Sequence, residues 1–258
     1  MSNKPYKGFE PKWLLTPAPA GSYRSIFRWG DPAFFKYPKE SLYKMMKEAF
    51  HMTDEDFRDY TDDIGFDQVS LPDHPSRIAP EHLQALREIV GEEFVTTDDY
   101  ARLSVAYGCT GYDLLRLRHK QIDSLPDVVV YPDTAEQVEK IVCYAAQHHI
   151  PLYVYGGGSS VTRGVEPIKG GISLDMRKRF NKILSFNEVD QTITVQAGLS
   201  GPALEEALQD APNRFGAKRQ YTCGHFPQSF EYSSVGGWVV TRGAGQNSTY
   251  YGTIADIV

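Results

Sequence analysis

An α+β chain is predicted, mainly helical over 1–124 and α/β over 125–258. Three observations carry this. Apolar residues recur at helical spacing in the first part. A strand–helix–strand pattern begins at a change of texture near Leu125-Pro126. Its second strand runs straight into Gly156-Gly157-Gly158-Ser159-Ser160.

Taken in order, Pro38 to Phe50 reads as a short helix with Leu42, Met45, Met46 and Ala49 on one face. Thr53 to Pro80 is acidic and rich in Asp and Pro, a connecting loop with a short helical turn. Pro80 to Val90 is a second helix, with proline in its opening turn and Leu83, Leu86 and Ile89/Val90 at helical spacing. Asp127 to Tyr131 (DVVVY) is a buried strand closed by Pro132. Thr134, with Gln137 three residues on, predicts a capping box, and the helix it opens buries Val138, Ile141, Val142 and Ala145. Leu152 to Tyr155, Ile172 to Leu174, Ile183 to Phe186 and Thr192 to Ala197 are further strands. Ser200 caps a helix through Leu208, with Pro202 where its missing N–H costs little. Ser233 to Tyr251 is rich in Gly, Ser and Thr and carries few helix formers, and Asp256-Ile257-Val258 reads as part of a strand.

Composition narrows the function classes. The formal charge of −6 leaves no broad phosphate-neutralising surface, so nucleic acid is not an expected partner. No apolar run approaches the ~20 residues that span a bilayer. Met1 to Pro19 lacks the apolar core of a secretory signal. Cys109, Cys143 and Cys223 are far apart and odd in number, which gives neither a disulfide framework nor a zinc motif. A cytoplasmic setting and no metal are the expectations, and Asn247-Ser248-Thr249 is then a chance match to a glycosylation acceptor.

The glycine loop is the feature with chemistry in it. Glycines admit positive φ and remove the Cβ atoms that would block close approach. Successive N–H groups can then bind an anionic oxygen, with Ser159 and Ser160 adding hydroxyl donors, and a diphosphate is the natural guest. Val161 stands where a dinucleotide fingerprint from Gly156 needs glycine, and no Gly-Lys-Ser/Thr ending of a P-loop follows. The alternative is a tight turn whose glycines only solve a packing problem.

Asp127 to Ser160 (DVVVYPDTAEQVEKIVCYAAQHHIPLYVYGGGSS) resembles the opening of the FAD-binding domain of the vanillyl-alcohol-oxidase type. Cys223 to Val258 (CGHFPQSFEYSSVGGWVVTRGAGQNSTYYGTIADIV) closely resembles alkylglycerone-phosphate synthases and their bacterial FAD-linked oxidase relatives. Arg102 to Pro126, with YGCTGYDLLRLRH, resembles the segment that precedes the flavin domain there, and Phe27 to Gly30 (FRWG) does so more loosely. The resemblance implies a flavin domain of two small α/β subdomains, cut before its end, with the substrate domain and its acid/base groups lying beyond Val258. It implies that Gly156, Gly157, Gly158, Ser159 and Ser160, with Val154 and Tyr155 before them, wrap the FAD diphosphate. A branched side chain at Gly157 would then stand at the diphosphate itself. Gln228, Ser229, Phe230, Glu231, Tyr232, Ser233 and Ser234 match a second flavin segment, and Thr241, Arg242, Gly243 and Ala244 a third. Some relatives bind flavin covalently through a histidine in the glycine loop; Ser159 stands there, so noncovalent FAD is expected.

The implied activity is exchange of the acyl chain of acyl-dihydroxyacetone phosphate for a fatty alcohol, forming an ether lipid without net redox change at the flavin. The rival is an FAD-linked oxidase or dehydrogenase of a hydroxy acid or alcohol, and a third is a binding protein that kept the fold. No catalytic residue is assigned within the chain. A lipid-like small-molecule substrate is implied, with peripheral membrane contact and a homodimer open for a whole protein that would be peroxisomal in a eukaryote.

Other candidates have plainer readings. His225 beside Cys223 invites a metal or nucleophile, yet two such residues fall short of a site, and a structural or flavin-edge role is expected. His148-His149 ends a helix, where imidazole suits the negative end of the dipole. Arg116, Arg118, His119 and Lys120 read as a solvated basic face or, less simply, a phosphate contact. Trp13, Trp29 and Trp238 read as core or contact aromatics.

Overall fold

The computed structural model describes residues 17–26, 40–57 and 65–258. Trp13, Trp29, Phe27 to Gly30 and part of the acidic loop lie outside the described residues. The chain forms two compact units, one of residues 1–69 with 114–121 and one of residues 70–113 with 122–258.

The first unit holds a 3-10 turn, Tyr23–Ile26, with both end residues buried. It also holds α1, Glu40–Phe50, which has the predicted apolar spacing but buries none of its residues. Here Arg116 departs from the solvated basic face: it is buried, whereas Arg118, His119 and Lys120 are exposed. Lys120 pairs with Asp67 at 2.7 Å.

The second unit begins with α2, Pro80–Val90, followed by β1, Val95–Thr96, and α3, Asp99–Ser104. The helix α4, Gly111–Arg118, leads out of this unit. Next come β2, Val128–Val130, α5, Ala135–Gln147, β3, Leu152–Tyr155, and β4, Ile172–Asp175. The sheet order is β1-β2-β4-β3, with β2, β4 and β3 parallel and β1 antiparallel at one edge. Interior position explains the sequence of β2: its three valines are fully buried because both faces are covered. Leu86 and Val90 of α2 and Ile141 and Ala145 of α5 pack on Val128, Val130, Ile172 and Leu174 in one core.

The compact unit that holds the sheet is larger than the α/β segment expected from residue 125. Residues 70–113 belong to the same compact unit as the sheet, because β1 pairs with β2 (Val95 opposite Val130) and α2 packs beside α5. A two-residue edge strand is too short to leave a periodicity in the sequence.

Local expectations are refined in two places. Thr134 Oγ1 accepts from Gln137 N at 3.2 Å as predicted, but Gln137 Oε1 accepts from Asp133 N (2.7 Å), one residue before the cap. Val142 is 43% exposed, because the face of α5 on the sheet runs through Ile141 and Ala145 and leaves Val142 at its edge.

A second layer follows. The hairpin of β5, Ile183–Asn187, and β6, Thr192–Val195, packs with α6, Gly201–Gln209, which Ser200 caps through Ala203 N. Then come α7, Ala211–Phe215, α8, Val235–Thr241, α9, Ser248–Tyr251, and α10, Ile254–Ile257. Leu199, Leu204, Leu208, Trp238 and Ile254 form its core, with Ile183, Phe186, Ile193 and Val195 of the hairpin against it. The helix α8 forms in a segment poor in helix formers because Ser234 caps it through Gly237 N. Packing also requires glycine there: a Cβ on Gly236 would sit 2.6 Å from the Ala197 Cβ. The strand expected at Asp256 to Val258 is instead helical, nucleated by a capping box between Thr253 and Asp256.

Candidate cofactor site

The glycine loop leaves the C-terminal end of β3, where parallel sheets place their ligands. Tyr155, its last strand residue, is 1% exposed, while Val154 beside it is 57% exposed. The Tyr155 hydroxyl donates to the Tyr107 carbonyl at 3.4 Å, and the Arg177 guanidinium lies 4.6 Å from the Tyr155 ring centroid. Arg177 is itself held by both oxygens of Asp175, at 2.8 and 2.5 Å.

Each glycine answers to a different neighbour. A Cβ on Gly156 would overlap the Ser234 hydroxyl, one on Gly157 the Tyr232 carbonyl, and one on Gly158 the Tyr155 hydroxyl. Gly158 also has a φ of +72°. Thus Gly157 faces the second segment, and the expectation that a side chain there would stand at the diphosphate is corrected: it would strike Tyr232 first.

The loop's donors are the second feature. None of the backbone N–H groups of residues 156–161 donates a hydrogen bond within the described structure. Most of these residues are half-buried. A run of amides without a protein acceptor calls for an anion with several oxygens, so the loop fits an FAD diphosphate. Ser159 and Ser160 add hydroxyls, the latter 3.5 Å from Thr162 Oγ1.

The second segment is brought to the loop. Ser233 Oγ accepts from Trp238 Nε1 at 2.6 Å, and Ser234 Oγ accepts from Gly237 N at 3.3 Å, so both serines are committed to α8. Phe230 stacks on Trp238, 6.0 Å between centroids, and packs into the core. Ser229 and Tyr232 are half-buried, whereas Gln228 and Glu231 are exposed.

Among the described residues the third segment makes no hydrogen bond to the glycine loop, and it reaches the second segment through Trp238. Thr241 Oγ1 donates to Gly237 O at 2.7 Å, and Gly243 N donates to Trp238 O at 2.9 Å. Arg242 ends α8 in the left-handed region, φ 50°, with its cation exposed, and Ala244 is exposed beside it.

His225 is buried and Cys223 half-buried. His225 is 1% exposed, and neither ring nitrogen has a hydrogen-bond partner. It meets Trp238 edge-on at 4.9 Å, and burial disfavours its charged form and lowers its pKa. Burial likewise pushes the Cys223 thiol up to about 12, and Cys223 Sγ donates to the His225 carbonyl. Among the described residues no group of three or more His, Cys, Asp or Glu could hold a metal. The His148 ring packs on Tyr144 at 4.3 Å at the end of α5. No described helix is long and apolar enough to cross a membrane.

Sequence reasoning missed Trp238 as the link between segments, the Asp175–Arg177 pair under Tyr155, and Tyr107 to Cys109, which reach the loop from below. A polar cavity of about 220 Å³ opens at the opposite end of the sheet, over Asp127 and Gly170. Its buried Arg102 is engaged by the carbonyls of Pro126 and His74, both at 2.8 Å.

Comparison with known proteins finds chains similar to this one. The alkyldihydroxyacetonephosphate synthase of Dictyostelium discoideum is 33% identical over 186 residues, 71% of this chain and 29% of that protein. A solved structure of an alkyldihydroxyacetonephosphate synthase superposes with a TM-score of 0.66 at 33% identity, over 71% of this chain and 34% of its own. The D-lactate dehydrogenase [cytochrome] 1 of Saccharomyces cerevisiae is 29% identical over 140 residues, 54% of this chain and 22% of that protein. The chain therefore spans less than a third of the length of these curated relatives. The model of the FAD binding domain family matches residues 126–258, about half of the chain and the whole of the parallel sheet apart from its antiparallel edge strand, and the chain belongs to that family.

Proposed function

We propose that this chain is the FAD-holding part of an enzyme of the alkyldihydroxyacetonephosphate synthase type, which exchanges the acyl chain of acyl-dihydroxyacetone phosphate for a fatty alcohol. The observation that carries the cofactor is the run of amides at 156–161 without protein acceptors, walled by Tyr232 to Ser234. The synthase reading is supported by identity of 33% over 71% of the chain, against 31% over 67% for an FAD-linked oxidoreductase of Escherichia coli and 29% over 54% for the D-lactate dehydrogenase.

When bound, FAD supplies the electron-accepting ring system on which such enzymes act. The residues of this chain hold it. The amides of 156–161 and the hydroxyls of Ser159 and Ser160 receive the diphosphate oxygens, and Arg242, exposed at the end of α8, is placed to balance phosphate charge or to polarise the isoalloxazine. Ser159 offers no nucleophile comparable to imidazole, so the attachment is noncovalent; flavin that stayed with acid-precipitated protein would overturn this point.

The substrate is then lipid-like and small. The test loads purified protein with FAD under anaerobic conditions and adds acyl-dihydroxyacetone phosphate with labelled fatty alcohol. Labelled ether product, with the flavin oxidised at the end, supports the synthase. Flavin bleached by a hydroxy acid or alcohol, with no ether product, replaces it with the FAD-linked oxidoreductase that the dehydrogenase similarity favours.

A further inference from the structure

We propose that the Tyr107-Gly108-Cys109 turn, upstream of the segment that matches the FAD-binding family, is the device that aims the amides of the glycine loop at the diphosphate; this rests on the flavin reading above. Three contacts tie the turn to the loop. Cys109 N donates to the Ser160 carbonyl at 2.8 Å, Cys109 Sγ donates to the Gly158 carbonyl at 3.2 Å, and the Tyr155 hydroxyl reaches the Tyr107 carbonyl.

Peptide planarity turns these contacts into orientation. In a trans peptide the C=O of one residue and the N–H of the next point in opposite directions. With the Gly158 carbonyl drawn down to the Cys109 thiol, the N–H of Ser159 points away from the turn. With the Ser160 carbonyl on Cys109 N, the N–H of Val161 does the same. On the sheet side the Tyr155 carbonyl accepts from Met176 N at 3.0 Å, which turns Gly156 N–H away from β4. The turn therefore takes up two carbonyls that would otherwise compete with, and repel, an anion. Gly108 is required for the approach: a Cβ there would overlap the Ser160 carbonyl oxygen. Cys109 is buried, and its thiol acts as a hydrogen-bond donor.

These are positioning residues, and the test measures FAD affinity by flavin fluorescence on the full chain, beside urea melts of the apoprotein. Cys109→Ala should weaken FAD several-fold with little change in the melt, and Cys109→Ser, which keeps a donor, should recover most of the affinity. Gly108→Ala should weaken FAD at least tenfold. ADP, which carries the diphosphate without the flavin, should lose affinity in the same order. Wild-type affinity in Cys109→Ala and Gly108→Ala, or a loss in Cys109→Ala that Cys109→Ser does not recover, overturns the proposal. Should Gly108→Ala not fold, the Cys109 pair decides alone. Failure of the wild-type chain to bind FAD would instead strike the flavin reading itself, and the proposal with it.

Discussion

Replacing Gly157 with alanine adds one methyl group where two segments of the cofactor site touch. Gly157 does not have positive φ, so the perturbation is steric and not conformational. The new Cβ would overlap the Tyr232 carbonyl oxygen and lie 2.5 Å from Ser233 Cα and 2.7 Å from the Tyr232 carbonyl carbon. Carbon atoms rest at about 3.5–4.0 Å, so the two backbones must separate by roughly 1 Å. Both neighbours are main chain, and no side chain can rotate aside. Overpacking of this kind costs about 1–3 kcal/mol. If the shift falls on the amides of 156–161, FAD binding weakens by about 5- to 150-fold, at ~1.4 kcal/mol per tenfold. The assay is flavin fluorescence titration, with Gly111→Ala as control, because a Cβ at Gly111 meets nothing within 4 Å. Gly157→Ala protein with wild-type FAD affinity and wild-type stability would refute the contact between the loop and the second segment.

Trp238→Phe removes the bond from Nε1 to Ser233 Oγ and should destabilise the second layer by ~1 kcal/mol in urea melts, with a small loss of FAD affinity. For His225, burial holds the folded-state pKa below the unfolded value, so the unfolded chain binds the extra proton more readily. Stability from this residue is complete above the unfolded pKa of ~6.5 and falls as pH drops below it, by at most ~1.4 kcal/mol per pH unit. Urea melts between pH 7.5 and 5 (~0.5 unit steps) should show a shallower slope in His225→Asn than in wild type. Among the thiols, Cys143 is exposed, Cys109 is buried, and burial pushes Cys223 up to about 12. Brief alkylation of the native protein followed by peptide mass mapping should label Cys143 first; faster labelling of Cys223 would contradict its placement.

The legible parts were those where one local force dominated. Proline at the opening of α2 and its apolar spacing located the helix at Pro80–Val90, and strand β3 followed from a short apolar run ending at the glycines. The three valines of β2 announced burial on both faces. The site residues at 156–160 and 232–234 were named from resemblance, and the structure brings these two groups together. Local propensity misled where tertiary packing outweighed it, as in α8, which carries two adjacent glycines yet is helical against Ala197. Val142 and the second arm of the Thr134 box show the finer limit, since a face or a bond that shifts by one residue leaves the same pattern in sequence.

By itself the sequence determined the succession of β2, α5 and β3 into the glycine loop, that loop's anion-binding potential and the class of cofactor its motifs resemble. All of these depend on residues near one another along the chain. Tertiary structure alone decided which partner each glycine serves: Ser234 for Gly156, Tyr232 for Gly157, Tyr155 for Gly158. It also decided that Tyr107 to Cys109 belong to the loop, some fifty positions upstream (Cys109 to Gly158, a separation of 49). The physical reason is that donors are aimed by what holds the opposite side of each peptide, and here those partners come from distant segments that carry no periodic signal of their meeting.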